Sequence, residues 1–183
     1  MSITISDLEK RPSPEVYIPG GEHSPSAPPK MGIMRWLTTV DHKLIGVMYC
    51  WMALIMGFVG GAMAGAIRGQ LSMPFGQQLI TPEFYNQMIS MHASVMLFFV
   101  LIPAFAGFGN YFVPLLIGAR DMAFPKMNGF AFWLLIPSAI LMFASFFFGS
   151  TGAGWTGYPP LSSSQYSPNI GVDMWIFGLH LAG

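Results

Sequence analysis

The chain has 183 residues, 53% of them hydrophobic and only 9% charged, with positive mean hydropathy. A soluble globular domain carries about 25% charged residues, so the composition excludes that class and points to an integral membrane protein. Formal charge balances to zero, which leaves no basis for a nucleic-acid or other polyanion partner, and the single cysteine, Cys50, excludes a disulfide framework and a Cys-based zinc site.

The expected fold is all-α, a polytopic transmembrane helical bundle with three complete spans and the start of a fourth. Residues 1–35 are polar and rich in proline, with Gly20 and Gly21 among them. Such a stretch cannot bury enough apolar surface to fold alone and reads as a disordered or surface-draped cytoplasmic tail. Asp7, Glu9 and Glu15 stand where the apolar core of a secretory signal would lie, so it does not read as one. Asp41 then offers an N-cap for the first apolar run, 44–67. That run is free of charge and, at 1.5 Å per residue, reaches roughly 36 Å, enough to cross a bilayer. Gly57, Gly61 and Gly65 repeat along it at every fourth residue. Helix packing alone explains such a small-residue stripe, and a flat cofactor would use the same close approach.

A polar loop leads to the second span, 88–116, loosened by Pro103, Gly107, Gly109 and Pro114. A connection holding Arg120, Asp121 and Lys126 precedes the third span, 130–149. A Gly/Pro/Ser loop with Trp155, Tyr158, Pro159 and Pro160 follows. The last apolar run, 172–183, is too short to cross and reads as part of something larger. Of the eight Lys and Arg, five precede the first span and two follow the second. The excess of basic residues on one side places the N-terminus and the second connection in the cytoplasm, and a bacterial inner membrane is the expected location.

His92 is the residue around which the chemistry gathers. An ionisable side chain inside a span is costly and is a functional-site hypothesis by default, and imidazole commonly ligates metal, haem iron included. A helix-packing histidine is the plainer alternative. A second axial ligand would have to face it; His180, the other histidine near that depth, is a possible partner, but a structural role is its plainer reading, with the true partner on a helix not in this stretch. Arg68 at the outer end of span one suits an anion or carbonyl acceptor, with haem side groups and lipid phosphate equally served. Tyr85 could reach a haem edge or act as an ordinary interfacial aromatic. Asn110 lies eighteen residues after His92, close to five turns, so a regular helix would put both on one face. Asp121 and Asn128 sit in the connection below. Asp121 could collect protons from the cytoplasm, or be a loop carboxylate beside Arg120.

Four stretches resemble subunit I of the haem-copper oxidases, and most closely the A-type cytochrome c oxidases. They are residues 36–46 (WLTTVDHKLIG), 92–99 (HASVMLFF), 107–128 (GFGNYFVPLLIGARDMAFPKMN) and 154–160 (GWTGYPP). The resemblance covers 36–183 and implies one domain there. It matches His92 to the first axial ligand of the low-spin haem a, and Arg68 to the arginine that bonds that haem's formyl group. Trp155 matches a tryptophan near the haem propionates. Asp121 matches the mouth of the D proton pathway, Asn110 and Asn128 match asparagines that order its water chain, and Tyr49 matches a tyrosine near it.

Three positions depart from patterns found among the family's members. Ala131 falls where many relatives carry a serine of the proton pathway. Val59 and Met63 stand where quinol-oxidising relatives carry an arginine and an aspartate, which favours cytochrome c as donor. The high-spin haem, copper B, the second low-spin ligand and the glutamate atop the pathway belong to later helices of the family, so this stretch alone is expected to be inactive. The implied partners are subunit II with its copper site, subunit III and the lipid bilayer. Two other readings remain beside the oxidase. One is a b-type haem protein clamped by His92 and His180; the other is a haem-free assembly or scaffold protein.

Overall fold

The computed structural model describes residues 32–149 and 152–183. The tail expected over 1–35 therefore lies outside it, except at its end. There Ile33–Leu37 forms a short exposed helix, α1, instead of continuing the tail. All regular structure among the described residues is helical.

Helix α2, His42–Leu71, starts where Asp41 caps it: the Asp41 carboxylate accepts the Lys43 backbone N–H at 2.9 Å. Such a cap is worth about 1 kcal/mol. At the far end, Gln70 Oε1 accepts the N–H groups of Leu79 and Ile80 at 2.7 and 3.0 Å, which folds the next loop back onto the helix. Thr81 caps α3, Pro82–Ser94, with Pro82 in the first turn where its missing N–H costs nothing. The span then widens into a π-helical segment, Val95–Leu101, before α4, Ile102–Leu116. The cause lies in Pro103, which has no N–H to donate to Phe99 and whose ring would clash with that carbonyl in a regular helix. Helix α5, Pro125–Ala144, passes through a 3₁₀ turn, Ser145–Phe148, to Gly149 at φ +73°, and α6 is Gly171–Ala182.

Three stretches, His42–Leu71, Pro82–Leu116 and Pro125–Phe148, are long and apolar enough to cross a membrane. The all-α, multi-span reading holds, with each span a few residues longer than its apolar stretch.

Two glycine contacts set the packing. A Cβ on Gly46 would lie 2.9 Å from the Gly107 carbonyl oxygen, and one on Gly107 the same distance from that of Gly46, so α2 and α4 touch backbone to backbone. At the α5–α6 contact a Cβ on Gly178 would lie 3.1 Å from Met142 Cβ, and Ser138 Oγ donates to the Gly178 carbonyl at 2.6 Å. Ile45, Met91, Val95, Phe99 and Met142 fill the space between these contacts. Phe58, Leu116 and Phe147 point outward.

Candidate functional site

The candidate residues sort to opposite ends of α2. At one end His92 turns toward α2, its Nδ1 2.9 Å from the Gly60 carbonyl oxygen. A carbonyl only accepts, so Nδ1 carries the proton and Nε2 is left with its lone pair. The ring is thereby oriented as a metal-ligating histidine is, with its other nitrogen bonded to a fixed acceptor.

The glycine stripe beside it is not all used alike. Met96 and Val95 fill the space at Gly60, whereas a Cβ on Gly61 or Gly65 would meet nothing within 4 Å among the described residues. One turn from Gly60, an apolar groove of about 410 Å³ begins at Gly57 and runs past Val100, Leu54, Cys50 and Phe108. The Arg68 guanidinium is exposed and makes no hydrogen bond or ion pair with another described residue. Tyr85 is half-buried and shares a cleft of about 270 Å³ with Gln70, Leu71 and Ile80. Trp155 rests against Phe98 of the π segment, ring centroids 6.5 Å apart.

His180 does not join this group. Its Nδ1 bonds the Ile176 carbonyl of its own helix at 2.9 Å, and α6 packs mainly on α5, whereas His92 is turned to α2. The geometry gives no support to a His92–His180 clamp.

At the other end, Asp121 Oδ1 lies 3.2 Å from Nδ1 of His42 and also accepts the Met122 N–H at 2.7 Å. Among the described residues Asp121 pairs with His42 and not with Arg120. The His42 side chain is almost wholly buried, while that of Asp121 is 38% exposed, so the pair bridges surface and interior. Three buried polar atoms near this end have no partner among the described residues: His42 Nε2, Asn110 Oδ1 and Asn128 Nδ2. Asn110 donates to the Ala106 carbonyl of its own helix at 2.8 Å. Tyr49 is buried edge-on against Phe132 at 5.0 Å. Ala131 is exposed, while Met63 is buried and Val59 packs against the core.

The expectation that His92 and Asn110 share a face assumed a regular helix. The wide turns at 95–101 slip the register by about one residue, so Tyr111 rather than Asn110 meets Gly46 on α2. Sequence reasoning also passed over His42 as a site residue. The signal was present: an ionisable side chain beside a helix cap, in a chain with only four histidines.

Residues 44–183 match the family described as Cytochrome C and Quinol oxidase polypeptide I. The chain belongs to this family. Among curated relatives, it is 45% identical over 144 residues to cytochrome c oxidase subunit 1 of Synechocystis sp., a match covering 79% of this chain and 26% of that protein. It is 44% identical over 163 residues to cytochrome c oxidase subunit 1 of Corynebacterium efficiens, covering 87% and 28%. A probable cytochrome c oxidase subunit 1-alpha of Streptomyces avermitilis is 42% identical over 153 residues, covering 82% and 26%. The chain thus spans about a quarter of the length of these relatives. All four resembling stretches belong to the described part of this oxidase polypeptide I chain, so their geometry is the one given above.

Proposed function

We propose that this chain is part of the catalytic subunit of a terminal respiratory oxidase, one that couples electron transfer from cytochrome c to reduction of O2 to water with proton uptake and pumping. In this reading the chain supplies one axial ligand of low-spin haem a and the entrance of the D proton pathway. High-spin haem and copper B belong to other parts of the subunit. The observation that carries the reading is the held imidazole of His92: Nδ1 tied to Gly60, Nε2 unengaged, and open glycine backbone at Gly61 and Gly65 beside it.

The residues present fit a haem. A planar macrocycle needs a ligating nitrogen, a wall without Cβ atoms, an apolar surround and a polar contact at its edge. His92, Gly61 and Gly65, the groove from Gly57 to Phe108, and Arg68 offer these in turn. When bound, such a group supplies one-electron transfer. His92 orients it through a ring fixed by Gly60. Arg68 places a permanent positive charge and up to five N–H donors near its edge. Tyr85 and Trp155 contribute aromatic surface at the same end.

Asp121, partly exposed, takes protons from the cytoplasmic side and passes them inward past His42. The unpartnered Nε2 of His42 and the amide atoms of Asn110 and Asn128 accept or donate to water, which relays the proton along the interior. Tyr49 flanks this path. The excess of basic residues ahead of the first span supports a cytoplasmic N-terminus, and the bacterial relatives support a bacterial inner membrane as the location. Val59 and Met63, both apolar, favour cytochrome c over a quinol as donor. Subunit II with its copper site and subunit III are the partners in this reading.

The test is oxygen uptake by the purified complex with reduced cytochrome c. Asp121→Asn should slow turnover by about 100-fold or more, the scale at which removing a positioned proton-transfer group is felt, and leave the haem spectrum unchanged. Unchanged oxygen uptake in that variant would count against the reading.

A further inference from the structure

The turn that carries His92 is held from two opposite sides. Toward α2, the hold is the Nδ1–Gly60 hydrogen bond. Ser90 and Ser94 lie two residues before and after His92, so at 3.6 residues per turn each points about 200° away from it around the helix. On that far side a chain of hydrogen bonds joins three separate segments. Trp175 of α6 donates its indole N–H to Ser94 Oγ at 3.0 Å, and Ser94 donates in turn to the Ser90 carbonyl at 2.8 Å. The Ser90 hydroxyl accepts the Gly154 N–H at 2.9 Å and donates to the Asn86 carbonyl at 3.0 Å. Ser90, Ser94 and Trp175 are all buried, and every side-chain polar atom among them is paired.

Apolar packing does not need these bonds. Met91, Val95 and Phe99 are fully buried along the span, but single dispersion contacts are weak and non-directional, so packing alone leaves more freedom of rotation about the helix axis than paired hydrogen bonds do. Directional bonds remove that freedom. The Ser90 bond also ends on Gly154, the residue before Trp155, so the loop that brings Trp155 against Phe98 is pinned to the same turn as His92.

We propose that Ser94 with Trp175, and Ser90 with Gly154, are positioning contacts that fix the rotation of the His92 turn and the seat of Trp155 relative to it. This rests on the low-spin haem reading of His92. The haem touches none of these side chains in this account. They act through the orientation of the imidazole and the placement of the tryptophan.

The test uses the assembled complex and reads the EPR g-values and midpoint potential of the low-spin haem, beside haem content and thermal unfolding. Trp175→Phe keeps an aromatic ring but removes the N–H donor together with the five-membered ring; Ser94→Ala removes the acceptor. Each should retain haem yet shift both signals, and the double variant should shift them by less than the sum of the two, since both substitutions break the Trp175–Ser94 bond. Ser94→Thr keeps the hydroxyl and should return the g-values and potential of the unaltered complex. Wild-type g-values and potential in Trp175→Phe, with unfolding merely at lower temperature, would overturn the proposal and leave a packing brace. A shift in Ser94→Thr as large as in Ser94→Ala would overturn it too. Failure of the underlying reading has a different signature, a low-spin signal that survives His92→Ala.

Discussion

The two ends of this bundle treat buried polar groups in opposite ways. Around His92, the side-chain polar atoms of Ser90, Ser94 and Trp175 each have a protein partner, and so does His92 Nδ1. Around Asp121, the buried Nε2 of His42, Oδ1 of Asn110 and Nδ2 of Asn128 have none among the described residues. Gly60 follows His42 by eighteen residues along α2, about 27 Å of helix. Buried polar groups in folded proteins are almost always satisfied, by protein or by water. A fully paired cluster has one arrangement and resists rotation, which suits a seat for a rigid cofactor. A cluster short of protein partners leaves donors and acceptors open to water, which in the proposed function suits a path for protons. Among the described residues, the same helices thus carry a paired polar cluster at one end and an under-paired one at the other.

The substitution expected to disturb both ends at once is Gly107→Ala, which lies between them. Its Cβ would meet Cys50 Sγ at 2.8 Å and the Gly46 carbonyl oxygen at 2.9 Å, and backbone cannot yield as a side chain does. Overpacking of this kind costs about 1–3 kcal/mol, so the complex should unfold at lower temperature and lose haem content and turnover together. His42→Ala sharpens the contrast. It removes the partner of Asp121 without touching the His92 end, so oxygen uptake should fall several-fold with the haem spectrum unchanged. A changed spectrum would show that the ends are not independent. The smallest effect belongs to Gly61→Ala. The added methyl meets nothing within 4 Å among the described residues, so assembly and unfolding temperature should match the unaltered complex. In the haem reading that methyl enters the cofactor's wall, and the absorption band of the low-spin haem should shift. An unaltered band would remove Gly61 from that wall.

Much of this was legible from residue order alone. Charge-free apolar runs gave the spans, because hydropathy and length are local properties and a bilayer imposes both. Asp41 announced the start of α2 by the chemistry of its side chain, and His92 stood out as an ionisable group in an apolar run. What stayed hidden depends on contacts between distant segments. Pro103 signals a disturbance, but whether a helix kinks or widens there depends on its neighbours, and the widening moves Tyr111, not Asn110, onto Gly46. The His42–Asp121 pair spans 79 residues and the Trp175–Ser94 bond 81, and no periodicity along the chain encodes either. The place of His180 depends on such contacts too. It sits at a promising depth, but its helix packs on α5 while His92 turns to α2.

The account turns on His92 as an axial ligand. The most direct measurement is the reduced-minus-oxidised absorption spectrum of the purified complex carrying His92→Ala, read beside the low-spin EPR signal. The account predicts that the low-spin haem signal is lost while the complex still assembles around its remaining spans. A low-spin signal of unaltered position and amplitude in that variant would contradict it.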